Sequence, residues 1–99
     1  MSTTLELETT ETFENYLNQI DVPSIKAKFL KRLRMLEMGN WGDCKPVGSG
    51  VSELRIHFGP GYRIYCKSIG KKVVVLLGAG TKDTQKSDIH AAIQLSKTL

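Results

Sequence analysis

The 99-residue sequence has no apolar run longer than the five residues Val73 to Leu77. That is far short of the roughly 18 residues a membrane-spanning helix requires. Its opening, MSTTLELETTETF, is polar and acidic, without the basic segment and apolar stretch of a signal peptide. A cytoplasmic location with no membrane partner is therefore expected. The only thiols, Cys44 and Cys66, lack CxxC or metal-ligand spacing. Both are expected to be free, Cys66 buried in a strand and Cys44 in a loop. His57 and His90 are far apart, with no carboxylate or thiolate grouping around them, so no metal site is expected. Gly78-Ala79-Gly80 is not followed at the required spacing by a Lys-Ser/Thr pair, which excludes a Walker loop. A hydrolase triad fails for want of a nucleophile elbow. No internal repeat or low-complexity segment is present. What is left calls for no cofactor.

The composition that is present is ordinary: 40% hydrophobic and 24% charged residues, which excludes disorder. The length fits a single domain over residues 1–99 with one modest core. A net charge of +4 tilts only slightly toward an anionic partner.

Three consecutive strands dominate the chain. Val51 to Phe58 alternates, with Leu54, Ile56 and Phe58 on one face and Glu53, Arg55 and His57 on the other. Gly59-Pro60-Gly61 reads as a three-residue turn, and Tyr62 to Lys67 alternates again. That turn length sets Phe58 against Tyr62, His57 against Arg63, Arg55 against Tyr65 and Glu53 against Lys67. A slip of one residue would mix the apolar and charged faces. The charged face then holds Arg55, His57, Arg63, Tyr65 and Lys67 with one carboxylate. The third run, Val73 to Leu77, is apolar throughout, as a central strand covered on both faces would be.

Around this meander the local signals are helical. Leu5 and Leu7 alternate with Glu6 and Glu8 as a short strand. Thr10 caps a helix carrying Phe13, Tyr16, Leu17 and Ile20 on one stripe. Asp21-Val22-Pro23 ends it and starts a second helix, about Ser24 to Met38, whose Lys26, Lys28, Lys31, Arg32 and Arg34 form a basic flank. The two make a helical hairpin over one sheet face. Gly39 to Gly50 reads as an irregular loop, and Gly78 to Lys82 as a tight turn beyond the third strand. Asp83, Thr84 or Ser87 caps a C-terminal helix with Ile89, Ala92 and Ile93 facing inward. The predicted class is α+β: N-terminal strand, helical hairpin, antiparallel three-stranded meander, C-terminal helix. The pattern leaves the partner of the first strand open.

GNWGDCKPVGSGVSELRIHFGPGYRIYCK followed by VVVLLGAGTKDTQKSDIHAAI resembles the RelE/ParE superfamily of toxins from bacterial toxin–antitoxin modules. The subgroup it is most similar to is that of HigB-like toxins, or addiction-module killer proteins. The shared pattern is a GN-GD-K-V loop containing Lys45, an ElRi strand containing Arg55, GpGyRiYy containing Arg63, and a G-G-x-K-x-x-Q loop containing Lys82 and Gln85. The resemblance implies the RelE fold, which has the same order of elements. It also implies a metal-independent endoribonuclease that cuts messenger RNA at the ribosome. Arg55, His57, Arg63 and Lys82 are then the catalytic candidates, with Tyr65, Lys67, Lys45 and Gln85 contacting substrate. Lys82 stands in the loop where several relatives carry a histidine. It is either a base, if neighbouring arginines lower its pKa, or only a phosphate clamp, the role favoured here, in which case His57 is the proton-transfer candidate.

The chemistry suits such a set. In RNA cleavage the 2′-hydroxyl attacks the adjacent phosphate, and guanidinium groups on a rigid sheet can stabilise the charge that builds on its oxygens. Two other readings stay open: a ParE-like inhibitor that binds DNA gyrase, and an inactive homologue that binds antitoxin. The resemblance further implies a cognate antitoxin of helix-turn-helix type laying an acidic or amphipathic segment over the basic face, with operator DNA reached only through that partner.

Overall fold

In the computed structural model, which describes residues 4–99, the chain runs β1 (Glu6–Thr9), α1 (Glu11–Gln19), α2 (Pro23–Glu37), β2 (Cys44–Gly48), β3 (Val51–Ile56), β4 (Tyr62–Ile69), β5 (Val73–Thr81) and α3 (Gln85–Ser96). A single 3-10 turn, Lys82–Thr84, leads into α3. The expected α+β class is what forms. One five-stranded sheet has the order β1-β5-β4-β3-β2, with β1 parallel to β5 and the other neighbours antiparallel. β5 is therefore internal, which accounts for its unbroken apolar run. Val74 and Leu76 enter one core, and Val75 and Leu77 the other.

Thr10 shows how a local signal sets tertiary geometry. Its hydroxyl oxygen accepts from the Phe13 N–H at 3.2 Å, capping α1, and its O–H donates to the Leu76 carbonyl at 2.9 Å. Phe13 is thereby directed into the core beside β5. Pro23 occupies the first turn of α2, where its missing N–H costs nothing. Phe13, Phe29 and Leu36 of the helical hairpin pack on Leu54, Ile64 and Cys66. On the opposite face α3 sets Ala92 against Val51, Tyr65, Val75 and Leu77. Burying each of the larger side chains stabilises the fold by about 2 kcal/mol.

The hairpin register differs from the expected one by two residues. β3 stops at Ile56, and residues 57–61 form the connection, so Arg55 lies opposite Arg63, Glu53 opposite Tyr65 and Val51 opposite Lys67. The Gly61 N–H bonds the Phe58 carbonyl at 3.1 Å, and Gly59 and Gly61 take positive φ. That bond and the two positive φ values belong to a turn wider than Gly59-Pro60-Gly61. A shift of two preserves the faces, because side-chain direction repeats every second residue. The charged face survives with its partners re-dealt.

Two segments read as irregular are strands. Within Gly39 to Gly50, Cys44–Gly48 forms β2, so Cys44 opens a strand rather than lying in a loop. The proline there is tolerated because β2 is an edge strand, with a register shift between Pro46 and Gly48. Gly78 to Thr81 is likewise the end of β5, paired with β4 as far as Tyr62 opposite Thr81. There Gly80 serves close approach and not turning. A Cβ on Gly80 would lie 1.8 Å from Asp88 Oδ2 and 2.9 Å from Thr84 Oγ1, where α3 crosses the strand.

Gly80→Ala is accordingly expected to cost about 1–3 kcal/mol in thermal or urea denaturation. Gly78→Ala meets only Thr12 Cγ2 at 3.8 Å and should change little. Asp88→Ala should recover part of the Gly80→Ala loss. Equal losses at the two glycines would disprove the close-approach reading.

Candidate functional site

Glu53 sits in mid-β3 with no exposed surface. A buried carboxylate without partners is strongly unfavourable, and four side chains surround this one. Alternation along β3 places Arg55 on the same face, its Nε 3.3 Å from Glu53 Oε2. The β4 register adds Arg63, with Nε 3.5 Å from Oε1, and Tyr65, whose O–H donates to Oε1 at 3.5 Å. From the first turn of α3, Gln85 Nε2 donates to Oε1 at 2.8 Å. The Arg63–Glu53 ion pair is too poorly aligned for a hydrogen bond, so Arg63 Nε is buried without one. Arg63 Nη1 donates to the Gly61 carbonyl at 3.3 Å. One carboxylate thus holds two guanidinium groups at the end of the sheet, with the Arg55 side chain 31% exposed.

Two lysines extend this cluster. Arg63 is opposite Gly80, and the Lys82 N–H bonds the Gly61 carbonyl at 3.0 Å. Continuing that pairing brings Lys82, which is exposed, to the same end of the sheet as Arg63. Lys45 is exposed on β2 directly opposite Glu53.

His57 follows the last residue of β3, and its Nε2 pairs with Asp43 Oδ2 at 2.5 Å. The hydrogen bond from His57 holds the Asp43 carboxyl below the usual carboxylate range, opposed by partial desolvation and assisted by the positive charge of Arg55. Behind Asp43 stands Arg32, which is 7% exposed. Its guanidinium donates to the carbonyls of Trp41 at 2.6 Å, Asp43 at 2.9 Å and Arg55 at 3.2 Å. Arg32 therefore leaves the basic flank expected of α2 and ties the loop before β2 to β3. Trp41 packs against the larger core.

The structure brings Arg55, Arg63, Lys82 and Lys45 to one region, with His57 at its border. Tyr65 and Gln85 turn inward to Glu53 instead of outward. Tyr65 has no exposed surface, because α3 covers it, and burial together with the Glu53 charge raises its pKa. Lys67 is separated from Arg63 by four positions along β4, about 13 Å at strand spacing. Its stem lies beside Gly50. Burial pushes the Cys66 thiol up to about 12, which makes it a poor nucleophile. Among the described residues no group of His, Cys, Asp and Glu could hold a metal ion, and no helix is long and apolar enough to cross a membrane. Sequence reasoning missed Asp43 and Arg32 as site-building residues. The spacing of Asp43 from His57 carries no local signal, since the two meet only through the β2–β3 register.

Comparison with known proteins bears on this arrangement. Residues 15–97 match the family described as phage derived protein Gp49-like (DUF891). An uncharacterized protein of Haemophilus influenzae Rd is 42% identical over 96 residues, which is 97% of each chain. The fold is similar to that of a mutant of the Escherichia coli toxin RelE in the free state, with a TM-score of 0.74 and 16% identity over 98% of this chain and 100% of that one. A chain of the RelBE2 toxin–antitoxin complex from Mycobacterium tuberculosis is similar with a TM-score of 0.65 and 20% identity, over 81% of this chain and 100% of that one.

Proposed function

Since the chain belongs to the Gp49-like (DUF891) family of the RelE/ParE superfamily, we propose that it is the toxin of a type II toxin–antitoxin module and cleaves messenger RNA at the ribosome without a metal. The observation that carries this reading is the pair Arg55 and Arg63, held by the buried Glu53 carboxylate at the end of the sheet beside Lys82. Guanidinium groups fixed in this way can meet a phosphodiester without reorganising as charge builds on it.

The 2′-hydroxyl oxygen attacks the adjacent phosphorus, and the bond to the 5′ oxygen of the next nucleotide breaks. A cyclic phosphate and a 5′-hydroxyl end result. Arg55 and Arg63 stabilise the phosphoryl oxygens, and Lys82 clamps the phosphate. His57 takes the 2′-hydroxyl proton. With Nε2 donating to Asp43, Nδ1 is left as the accepting nitrogen. The departing oxygen is protonated from solvent. Tyr65 and Gln85 act behind the arginines by positioning Glu53, and Lys45 extends the phosphate-binding surface. A cognate antitoxin with an acidic or amphipathic segment would neutralise this face, and operator DNA would be reached through it.

The test is to map transcript 5′ ends after induced expression. Cuts inside coding sequence are expected, and Arg63→Ala should reduce them roughly a hundredfold, as for loss of one oxyanion donor. Growth arrest with intact transcripts would remove the nuclease reading, and inhibited supercoiling would replace it with gyrase binding.

A further inference from the structure

On the other side of Arg55 from Glu53, the surface carries a feature that the cation cluster does not use. A shallow hollow of about 200 Å³ lies between α2 and the end of β3. Its lining includes Lys28, Lys31 and Arg32 from α2, with Arg55 and His57 from the β3 end, and none of its lining residues is acidic. Lys28 and Lys31 are three apart on the helix, so both reach the same side of α2. The Lys28 ammonium lies over the Phe58 ring, 5.1 Å from its centre, which restrains a side chain that would otherwise move freely. The Asp43 carboxylate beside His57 is engaged by that histidine. Solvated lysines on a helix usually spread among acidic neighbours; these converge with a histidine and an arginine on one concavity.

We infer that this hollow is a second phosphate site, taking the backbone phosphate of a nucleotide neighbouring the one that reacts, and the inference rests on the nuclease reading above. Arg55 is the link. Its guanidinium is held on Glu53, while the residue also borders the hollow. An RNA strand lying on the Arg55–Arg63–Lys82 cluster can continue past His57 to Lys28 and Lys31, with Arg55 common to both places. A basic groove that follows the backbone is how single strands are held without base contacts.

The test uses a short 2′-O-methyl oligoribonucleotide, which lacks the attacking hydroxyl, with binding followed by fluorescence anisotropy as salt is varied. Lys28→Ala/Lys31→Ala should weaken binding about tenfold at low salt and flatten the log Kd against log salt slope by roughly 0.7, the amount for one lost single-strand phosphate contact. The charge-matched control is Lys71→Ala/Lys72→Ala, at the turn between β4 and β5, where both lysines are exposed. It should bind almost as the unaltered chain does. Equal weakening in both double variants would show a non-specific charge effect and overturn the site. So would an unchanged slope in the Lys28/Lys31 variant, or no binding by the unaltered protein. The nuclease reading is judged separately by transcript cleavage and its dependence on Arg63. It survives any of these outcomes if the transcripts are cut.

Discussion

Glu53→Ala is expected to destabilise the protein by about 3–5 kcal/mol, the cost of removing one partner from a buried ion pair. The carboxylate has no exposed surface, and its oxygens meet Arg55, Arg63, Tyr65 and Gln85. Without it, two guanidinium groups face each other across directly paired positions of β3 and β4, with no charge between them. The Gln85 amide loses its partner as well, so the first turn of α3 loosens. Activity should fall further than in Arg63→Ala, because both arginines lose their fixed positions. Glu53→Gln keeps an oxygen for Gln85 but not the charge, and should fall between the two. Urea denaturation and transcript cleavage measure the two effects. Wild-type stability in Glu53→Ala would mean that the arginines find solvent without strain and that Glu53 is not the organising group.

Arg32→Met is expected to have the second-largest effect, about 2–4 kcal/mol, from losing several charge-assisted hydrogen bonds to carbonyls in a partly buried site. Methionine fills similar volume, so the loss reports bonding and not a cavity. The released carbonyls belong to Trp41, Asp43 and Arg55. Gly42 packs against the same guanidinium, where a Cβ would lie 3.1 Å from both terminal nitrogens. The loop before β2 should therefore loosen, and Asp43 should lose its fixed place beside His57. Thermal denaturation reads the first effect. The ring nitrogen chemical shifts of His57, compared with those in Asp43→Asn, read the second. An Arg32→Met protein with unchanged His57 signals would sever the proposed link between the buried arginine and the site.

The elements legible in the sequence are those governed by neighbours along the chain. Alternation assigned Glu53, Arg55, Arg63, Tyr65 and Lys67 to one face, because side-chain direction in a strand is set residue by residue. Thr10 and Pro23 marked helix starts through bonds made, or not needed, within a single turn. The uniform apolar run of β5 announced a strand covered on both sides.

What only the tertiary structure decided were meetings between distant residues. The partner of β1 was open because pairing it with β5 joins residues such as Glu6 and Val73. The hairpin slipped by two because the backbone bonds of residues 57–61 set the turn length, and the face pattern is blind to an even shift. Gly80 looked like a turn residue until α3 was seen to cross it. Tyr65 and Gln85 became buried supports of Glu53 through that same helix, and Gln85 reaches its partner across 32 positions of chain. By itself the sequence determined which side chains share a face. Which of them stay open to a ligand was decided by the helix that covers the face, because burial depends on contacts between elements that no local period encodes.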